Sequence, residues 1–254
     1  MEKPDTNLAT VPEVPELSLV IPAYRQAATI QEDLIRLHKI VADITNSSFE
    51  LIVVVDGFVD QTMEQAQALQ LRNLQVTGYS ANVGKGHAVR FGMHLAKGTF
   101  VGFIDAGMDI DPSAIRPALE AMRSGADAAI GSKLHRDAVT SYPTVRRAYS
   151  HGYQILTWLL FRLAIRDTQV GLKLFRGTLL RPVLSKLLVK RFAFDIELLV
   201  ALSRNHAPLH IVEVPVIIER PSYFQTSVNF DAVRSVFLDT LAVWYRANLR
   251  RTYG

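Results

Sequence analysis

Cysteine is absent from the 254 residues of this chain. Its absence excludes disulfide bonds and thiolate metal sites, and it is typical of proteins in a reducing compartment such as the cytoplasm. A strong charge of either sign is absent too, because 28 lysines and arginines against 24 aspartates and glutamates leave a net charge of only +4. This mild excess suits an anionic ligand or a membrane surface, and it gives no indication of nucleic-acid binding.

The sequence also lacks a hydrophobic run long enough to cross a bilayer. The longest uncharged stretch, residues 148–161, is shorter than the roughly 20 residues that a transmembrane helix needs. Residues 1–16 are polar and rich in proline, and they predict a flexible leader instead of a signal peptide. We therefore expect a cytoplasmic protein that is soluble or peripheral on the cytoplasmic face of a membrane.

Short apolar runs alternate with helical patterns through the first half of the chain. Residues Ile30, Leu34 and Leu37, for example, recur at the spacing of one helix face. Strands that alternate with helices predict βαβ units, and thus an α/β fold with a mostly parallel sheet flanked by helices. The predicted strands are residues 17–21, 51–55, 74–77, 100–104 and 128–130.

The second half of the chain carries longer helical patterns. We expect helices over residues 145–165 and from about 194 to 204, a strand over 210–218, and a last helix over 231–251. No linker is evident, so residues 17–225 are expected to form one domain. Residues 226–254 are predicted to form a C-terminal amphipathic helix that contacts either a membrane surface or a second copy of the chain.

Polar side chains follow four of the predicted strands. The most acidic of these ends is Asp105, Asp109 and Asp111, after the buried run Phe100–Ile104. Carboxylates suit a hard divalent cation, and such a cation suits a diphosphate. Because the carboxyl ends of parallel strands meet at one edge, these ends predict a nucleotide site. The alternative for Asp109 and Asp111 is a cap on the helix that begins near Pro112.

A glycine loop, Gly84-Lys85-Gly86, opens the helix after the third strand. Glycines let the backbone approach an anion, and Lys85 adds a positive charge. The loop lacks the spacing of a Walker loop and of a dinucleotide-binding fingerprint. A generic nucleotide-binding Rossmann protein is therefore disfavoured.

These segments resemble glycosyltransferase family 2, whose members have the Rossmann-like GT-A fold. The first half carries the resemblance in residues 19–24, 54–62, 82–90 and 105–112. The second half is similar to the dolichyl-phosphate glucosyltransferase branch in residues 131–133, 146–150, 167–175 and 191–199. The polyprenyl-phosphate mannose synthases share the same general plan.

The resemblance implies an inverting transfer of a hexose, first of all glucose from UDP-glucose, to a polyprenyl or dolichyl phosphate. The alternatives are a GDP-mannose-dependent polyprenyl-phosphate mannosyltransferase and a nucleotide-sugar-binding protein with weakened or lost catalysis. A polyprenyl phosphate is already anionic, so it needs cationic positioning instead of a strong general base. Lys133 and Arg146 are the candidates for that positioning, beside Asp105 and Asp109 as catalytic residues.

The family motifs carry over to named positions of this sequence. The expected metal, Mg²⁺ or Mn²⁺, is assigned to Asp105 and Asp109. Arg146, Arg147, Asp167, Gln169 and Asp195 are assigned to the sugar and acceptor side, with a helix cap as the alternative role of Asp195. The residues expected to bind the nucleotide-sugar are Pro22, Ala23, Tyr24, Gln26, Asp56, Asn82, Lys85, Asp105 and Ala106.

Three departures from the family pattern bear on this assignment. Gln26 stands where the family usually has glutamate, and Gly107 stands where it has the second aspartate of an Asp-x-Asp motif. Lys133 replaces an arginine, which keeps the charge but loses the bidentate fork. We expect Asp109 to supply the carboxylate that Gly107 lacks.

Overall fold

A computed structural model describes residues 14–140, 144–163, 165–206, 208–218 and 230–254. For residues 140, 144–151 and 230–233 it describes the backbone alone. The predicted boundary between residues 225 and 226 lies outside these ranges, as do the first 13 residues of the predicted leader.

The described part of the chain is built around a seven-stranded sheet. A further pair of two-residue strands forms a second, smaller sheet. The strands are β1 (Leu17–Ala23), β2 (Phe49–Asp56), β3 (Leu74–Tyr79), β4 (Phe100–Ile104), β5 (Ala128–Ser132), β6 (Val139–Thr140), β7 (Leu172–Arg176), β8 (Ile211–Pro215) and β9 (Ile217–Ile218).

The large sheet has the strand order β3-β2-β1-β4-β7-β5-β8. Strands β1 to β4 pair in parallel, as do β5 and β8, whereas β7 runs antiparallel to both of its neighbours. The carboxyl ends of the six parallel strands therefore lie at one edge of the sheet, and the amino end of β7 lies at that same edge. The predicted mostly parallel α/β sheet is confirmed.

Helices cover both faces of the sheet. They are α1 (Ile30–Thr45), α2 (Thr62–Gln67), α3 (Lys85–Leu95), α4 (Ile115–Arg123), α5 (Thr144–Phe161), α6 (Gly177–Leu184), α7 (Phe194–Asn205) and α8 (Phe230–Asn248), with a 3₁₀ turn at Pro112–Ala114 before α4. On β2, Leu51, Val53 and Val55 pack into one apolar cluster and Ile52 and Val54 into the other, as expected for a strand that is buried on both sides. Helices α1 and α4 contribute to the first cluster, and α3, α6, α7 and α8 to the second.

The first strand continues through Pro22 instead of ending before it. Its pairing with β4 extends only from Leu17 to Val20, whereas its pairing with β2 continues to Ala23. Pro22 therefore lies where β1 has only one partner, and a proline is tolerated at such an edge-like position.

The strand expected over residues 210–218 is divided in two. Strand β8 ends at Pro215 and pairs with β5, and β9 pairs instead with β6. Proline has no backbone N–H to continue a ladder, which explains the break. The C-terminal helix lies within a few residues of its predicted bounds, and α6 is an element that the sequence pattern does not predict.

Candidate active site

The site forms where several loops meet at the carboxyl edge of the sheet. These are the loops that follow β1, β2, β3 and β4, together with the loop that precedes β7. The antiparallel direction of β7 is what brings residues 167–171 to this edge. The edge therefore collects most of the residues that the sequence assigns to the donor and acceptor.

Asp56, the last residue of β2, holds the loop that follows β3. Its Oδ1 accepts a hydrogen bond from the backbone N–H of Val83 at 2.8 Å, and its Oδ2 accepts one from the N–H of Gly84 at 2.9 Å. The amide of Asn82 donates to Oδ2 at 3.0 Å. This buried carboxylate therefore fixes the course of the glycine loop, and its predicted contact with the nucleotide-sugar stays a prediction.

The glycine loop places Lys85 at the first turn of α3. Gly84 has a φ of +121°, and a Cβ there would lie 2.5 Å from the carbonyl oxygen of Lys190. Glycine is required at such a position for both reasons. The close approach joins the loop to the segment that precedes α7, because the backbone N–H of His87 also donates to the Lys190 carbonyl, at 3.1 Å.

Asp105 directly follows β4 and forms an ion pair with Lys85. The ammonium nitrogen of Lys85 lies 2.8 Å from Oδ1 and 2.9 Å from Oδ2 of Asp105. On the other side, the N–H of Asp105 donates to the carbonyl of Gly171 at 2.9 Å. A Cβ at Gly171 would lie 1.9 Å from Asp105 Oδ2, so the carboxylate can occupy this position only beside a glycine.

The ion pair continues into the interior of the protein. Lys85 Nζ lies 3.8 Å from Oδ2 of Asp195, and Oδ1 of Asp195 accepts a hydrogen bond from Lys173 Nζ at 2.5 Å. Lys173 also donates to the carbonyl of Val170, at 2.6 Å. The alternative of Asp195 as a helix cap is not what is seen, because this carboxylate is held between two lysines in the first turn of α7. Its role toward the sugar and acceptor stays a prediction.

The two lysines of this network have pKa values shifted in opposite directions. Burial lowers the pKa of Lys85, but the carboxylates of Asp105 and Asp195 raise it by more, so the net pKa is above the ordinary value. Burial lowers the pKa of Lys173 and is the largest effect on it. Asp195 raises this pKa and Lys85 lowers it, and the net pKa is below the ordinary value. The Lys85 side chain is therefore positively charged at neutral pH.

The loop after β1 lies beside the loop after β4. The N–H of Gln26 donates to Oγ1 of Thr62 at 2.8 Å, which fixes this loop on α2. Gly107 has a φ of +86°, and the nearest atoms to a Cβ there would be those of the Gln26 side-chain amide, at 3.5 Å. The two positions that lack the family's usual carboxylate are thus neighbours in space.

The carboxylates at this edge are the candidate ligands of the expected metal ion. No group of three or more His, Asp or Glu side chains is arranged to hold a metal ion within the part of the chain that the structure describes. Asp105 is partly exposed, as is Asp109, and the side-chain amide of Gln26 lies beside Gly107. Two carboxylates fit an Mg²⁺ or Mn²⁺ ion that takes its other ligands from a diphosphate and water.

Asp111 has a structural role. Its Oδ1 accepts a hydrogen bond from the N–H of Ser113 at 2.7 Å and so caps the 3₁₀ turn, and its Oδ2 lies 2.5 Å from Nη2 of Arg36. This is the capping alternative that the sequence leaves open. Asp109 has a different, partly exposed position in the same loop.

A second group of predicted residues surrounds the end of β5. Oδ2 of Asp167 accepts a hydrogen bond from the N–H of Lys133 at 3.1 Å, and Lys133 Nζ lies 3.9 Å from the same oxygen. Among the described residues, Ser132 Oγ and Gln169 Nε2 are buried without a hydrogen-bond partner. Unsatisfied buried polar atoms call for an explanation, and a bound ligand is one.

The remaining predicted residues differ in their exposure to solvent. Tyr24 and Asn82 are exposed, Pro22 and Ala106 are partly buried, and Ala23 is buried, so only its backbone can reach a ligand. The backbone of Arg146 and Arg147 lies in the first turn of α5, and their side chains lie outside what is described.

Helix α5 presents an apolar surface near the second group. Ile155, Trp158 and Leu159 are 59%, 59% and 63% exposed. Ile155 and Trp158 also line a cavity of about 360 Å³, together with Gln154, Leu163, Ile165 and Arg166. None of the helices in the described ranges combines the length and the apolar character that a membrane span requires.

Two residues of the site are missed by sequence reasoning. Gly171 and Lys173 lie inside a motif that carries the family resemblance, but the sequence assigns a role to neither. The glycine gives no signal by itself, since its contact with Asp105 depends on the direction of β7. A lysine between the apolar residues Leu172 and Leu174 is an available signal, because it predicts a buried cation that needs a carboxylate partner.

The chain is similar in sequence to proteins named dolichyl-phosphate beta-glucosyltransferase, the branch that its second-half motifs resemble. Dolichyl-phosphate beta-glucosyltransferase of Drosophila melanogaster is 35% identical over 215 residues, which cover 78% of this chain and 66% of that protein. The human protein of the same name is 31% identical over 204 residues, which cover 72% of this chain and 62% of that protein. The chain thus spans slightly less than two-thirds of the length of these relatives.

Solved structures share the fold. Glucosyl-3-phosphoglycerate synthase from Mycobacterium tuberculosis, in complex with Mn²⁺, UDP and phosphoglyceric acid, superposes with a TM-score of 0.65 at 18% identity, over 94% of this chain and 79% of that one. This likeness confirms the GT-A fold. Residues 18–184 match the sequence profile of glycosyl transferase family 2, which covers more than half of the chain. The chain therefore belongs to glycosyl transferase family 2.

Proposed function

We propose that this protein is an inverting glycosyltransferase that moves glucose from UDP-glucose to a polyprenyl or dolichyl phosphate. The observation that carries this proposal is the Asp105–Lys85 ion pair at the carboxyl edge of the sheet. A carboxylate and a lysine at this edge suit the diphosphate of a nucleotide-sugar. The relatives named dolichyl-phosphate beta-glucosyltransferase supply the choice of sugar and acceptor.

The reaction is a single displacement. An oxygen of the acceptor phosphate attacks the anomeric carbon of glucose and forms the new carbon–oxygen bond. The bond between that carbon and the donor diphosphate breaks, and UDP leaves with the electron pair. The acceptor oxygen is already deprotonated at neutral pH, so no proton has to be removed by a strong base.

The protein's part in this step is to neutralise and position charge. Lys85 would neutralise part of the negative charge of the leaving diphosphate. Asp105 and Asp109 would hold a divalent metal, which when bound supplies positive charge to the same group. The glycine loop, fixed by Asp56, would keep Lys85 in register with the donor.

The acceptor side is assigned to the residues around the end of β5. Lys133, held beside Asp167, would pair with the acceptor phosphate, together with Arg146 and Arg147 from α5. The unsatisfied Gln169 amide would bind the sugar or the acceptor. The cavity beside Trp158 adjoins this group through Ile165 and Arg166, which immediately precede Asp167, and its apolar lining suits a prenyl chain.

Helices α5 and α8 are the proposed contacts with a membrane surface on the cytoplasmic side. Phe237, Leu238 and Leu249 of the C-terminal region are exposed, as are Ile155 and Trp158 of α5. Exposed apolar side chains beside arginines suit a helix that lies in the lipid interface. A homodimer that covers the same surface is the alternative.

A nucleotide-sugar-binding protein without turnover is the second candidate. Gly107 and Gln26, which lie side by side, favour it, because together they remove two carboxylates from the metal side of the site. A GDP-mannose-dependent transfer is the third candidate, and it would use the same groups.

The experiment is a transfer assay with a panel of labelled UDP- and GDP-sugars and a short-chain polyprenyl phosphate, with and without Mg²⁺ or Mn²⁺. Metal-dependent transfer from UDP-glucose is the expected result. Transfer from another donor would correct the sugar and keep the mechanism. Nucleotide binding without transfer from any donor would favour the binding protein.

A further inference from the structure

Lys173 is a buried lysine for which packing alone gives no reason. Its side chain on β7 is 0% exposed, and its ammonium group donates to Asp195 Oδ1 at 2.5 Å and to the Val170 carbonyl at 2.6 Å. It also lies 5.2 Å from the centroid of the Phe103 ring. A buried ion pair adds little stability over apolar side chains of similar size. An apolar residue would therefore serve the core as well.

The pair is the inner end of a chain of alternating charges that reaches the donor site. Asp195 lies between the two lysines, 2.5 Å from Lys173 Nζ and 3.8 Å from Lys85 Nζ. Lys85 lies 2.8 Å from Asp105 at the outer end. Both ammonium groups share the ring of Phe103, at 5.2 and 5.3 Å from its centroid.

Asp195 lies much closer to one lysine than to the other. Its close contact is with Lys173, and its contact with Lys85 is long. Lys85 is thus left to make its close contacts with Asp105, at the edge where the donor diphosphate is proposed to bind. If Lys173 lost its charge, Asp195 would be a buried anion with Lys85 as its nearest cation. A buried anion strongly attracts such a partner.

We propose that Lys173 is a positioning residue for the donor site. By neutralising Asp195, it keeps the ammonium group of Lys85 beside Asp105 instead of letting it move inward to Asp195. Lys173 itself touches no substrate. Its bond to the Val170 carbonyl also fixes the loop that carries Gly171, the residue against which Asp105 packs. This inference rests on the proposed function, because it assumes a nucleotide diphosphate at Asp105 and Lys85.

A double-mutant cycle tests the inference through UDP binding in the presence of Mn²⁺, measured by calorimetry on the full chain. Lys173→Gln keeps donors for Asp195 and Val170 but removes the charge, and Lys173→Met removes both. We expect either variant to weaken UDP binding by about 10-fold or more, because a displaced Lys85 loses a charge-assisted hydrogen bond to the diphosphate, and the loss of one such bond lowers an affinity by at least about that factor. In the Asp195→Asn background, the same substitutions are expected to change UDP affinity by less than about 2-fold, since no buried anion remains to attract Lys85.

The controls separate positioning from stability. Lys186→Gln removes a lysine that is partly buried and hydrogen-bonded to Asn205 and to the Tyr253 carbonyl, and this variant is expected to leave UDP affinity unchanged. If the Met variant fails to fold, the Gln variant still completes the cycle. An equal loss of affinity with Asp195 present and in the Asp195→Asn background would overturn this inference alone. Failure of the unaltered chain to bind any nucleotide would instead overturn the proposed function on which it rests.

Discussion

At the scale of single residues, the site depends on which carboxylates remain where the family usually has more. Asp105 is held by Lys85 and by the close approach of Gly171, whereas Gly107 contributes no side chain. In the proposed mechanism, the metal at this edge is therefore held by Asp105 and by one compensating carboxylate. Asp109 is the residue to which that compensation is assigned.

Replacement of Asp109 by alanine tests the compensation. We expect the Mn²⁺ concentration for half-maximal transfer to rise by about 10-fold or more, as is usual when a group that supports a bound metal is lost. A metal titration of the transfer rate measures this. Asp111→Asn is the matched control in the same loop, because its carboxylate caps a turn and pairs with Arg36. Near-normal metal dependence in the Asp109 variant would refute the assignment.

Replacement of Gly171 by alanine tests the geometry of Asp105. The added Cβ would lie 1.9 Å from Asp105 Oδ2, so the carboxylate has to move. We expect the transfer rate to fall by about 100-fold, the loss that a misplacement of about 1 Å in a catalytic group can cause. Gly152→Ala on α5 is the control, since a Cβ there meets nothing within 4 Å. Equal activity of the two variants would contradict the role given to Gly171.

The sequence predicts which residues lie at the edge of the sheet, but it does not predict which side chains form ion pairs there. The types at strand ends locate Asp56, Lys85 and Asp105 at one edge, and the structure brings the last two into contact. The network behind them could not be predicted, because Lys173 and Asp195 are 22 residues apart and meet only through the packing of β7 against α7.

At the scale of elements, the C-terminal helix is attached to the rest of the protein by a buried carboxylate. Oε2 of Glu197 on α7 accepts hydrogen bonds from the N–H groups of Leu188 and Val189, at 2.9 and 2.8 Å. Oε1 accepts bonds from Arg246 of α8 at 2.9 Å and from the Tyr253 hydroxyl at 2.6 Å. One side chain thus joins α7, α8 and the segment that contacts the glycine loop.

Replacement of Glu197 by glutamine should destabilise the protein. The Glu197 side chain is 0% exposed. A glutamine there would not neutralise the positive charge of Arg246, and it would accept fewer hydrogen bonds. We expect a loss of about 3–5 kcal/mol in the free energy of unfolding, measured by urea denaturation. Glu64→Gln, at an exposed position on α2, is the control and should change stability by less than about 0.5 kcal/mol. A loss no larger than that of the control would contradict this account of the attachment of α8.

The elements themselves are predicted best where the hydrophobic period is strong. Strand β4 and the first-half helices follow directly from their patterns, and both faces of β2 are buried as its continuous apolar run indicates. The direction of β7 could not be predicted, because a strand has the same period in both directions. Helix α6 is missed because Pro182 interrupts its pattern near its end.

At the scale of the whole molecule, α5 and α8 both carry exposed apolar side chains, and the proposed partner of this surface is a membrane that presents the lipid acceptor. We expect the chain to bind vesicles that contain anionic lipid. Replacing Trp158 and Leu159 with serine should weaken that binding by about 10-fold for each side chain, since burial of each contributes about 1.5–3 kcal/mol. Vesicle co-sedimentation measures the effect.

The control for that measurement is Ile35→Ser, which removes an apolar side chain of similar exposure, 51%, from α1. It should leave vesicle binding unchanged. If the α5 variant bound vesicles as well as the unaltered chain, the apolar surface would have another role. Loss of a dimer in the α5 variant, without a change in vesicle binding, would favour the homodimer.

The central claim is that the Asp105–Lys85 edge carries glucose transfer to a lipid phosphate. The most direct test compares transfer of labelled glucose from UDP-glucose to a short-chain polyprenyl phosphate by the unaltered chain and by the Asp105→Ala and Lys85→Met variants. We expect metal-dependent transfer by the unaltered chain and a loss of about 100-fold or more in each variant. Transfer that persists at the original rate in both variants would contradict the account, since the reaction would then proceed without the two groups assigned to the donor diphosphate.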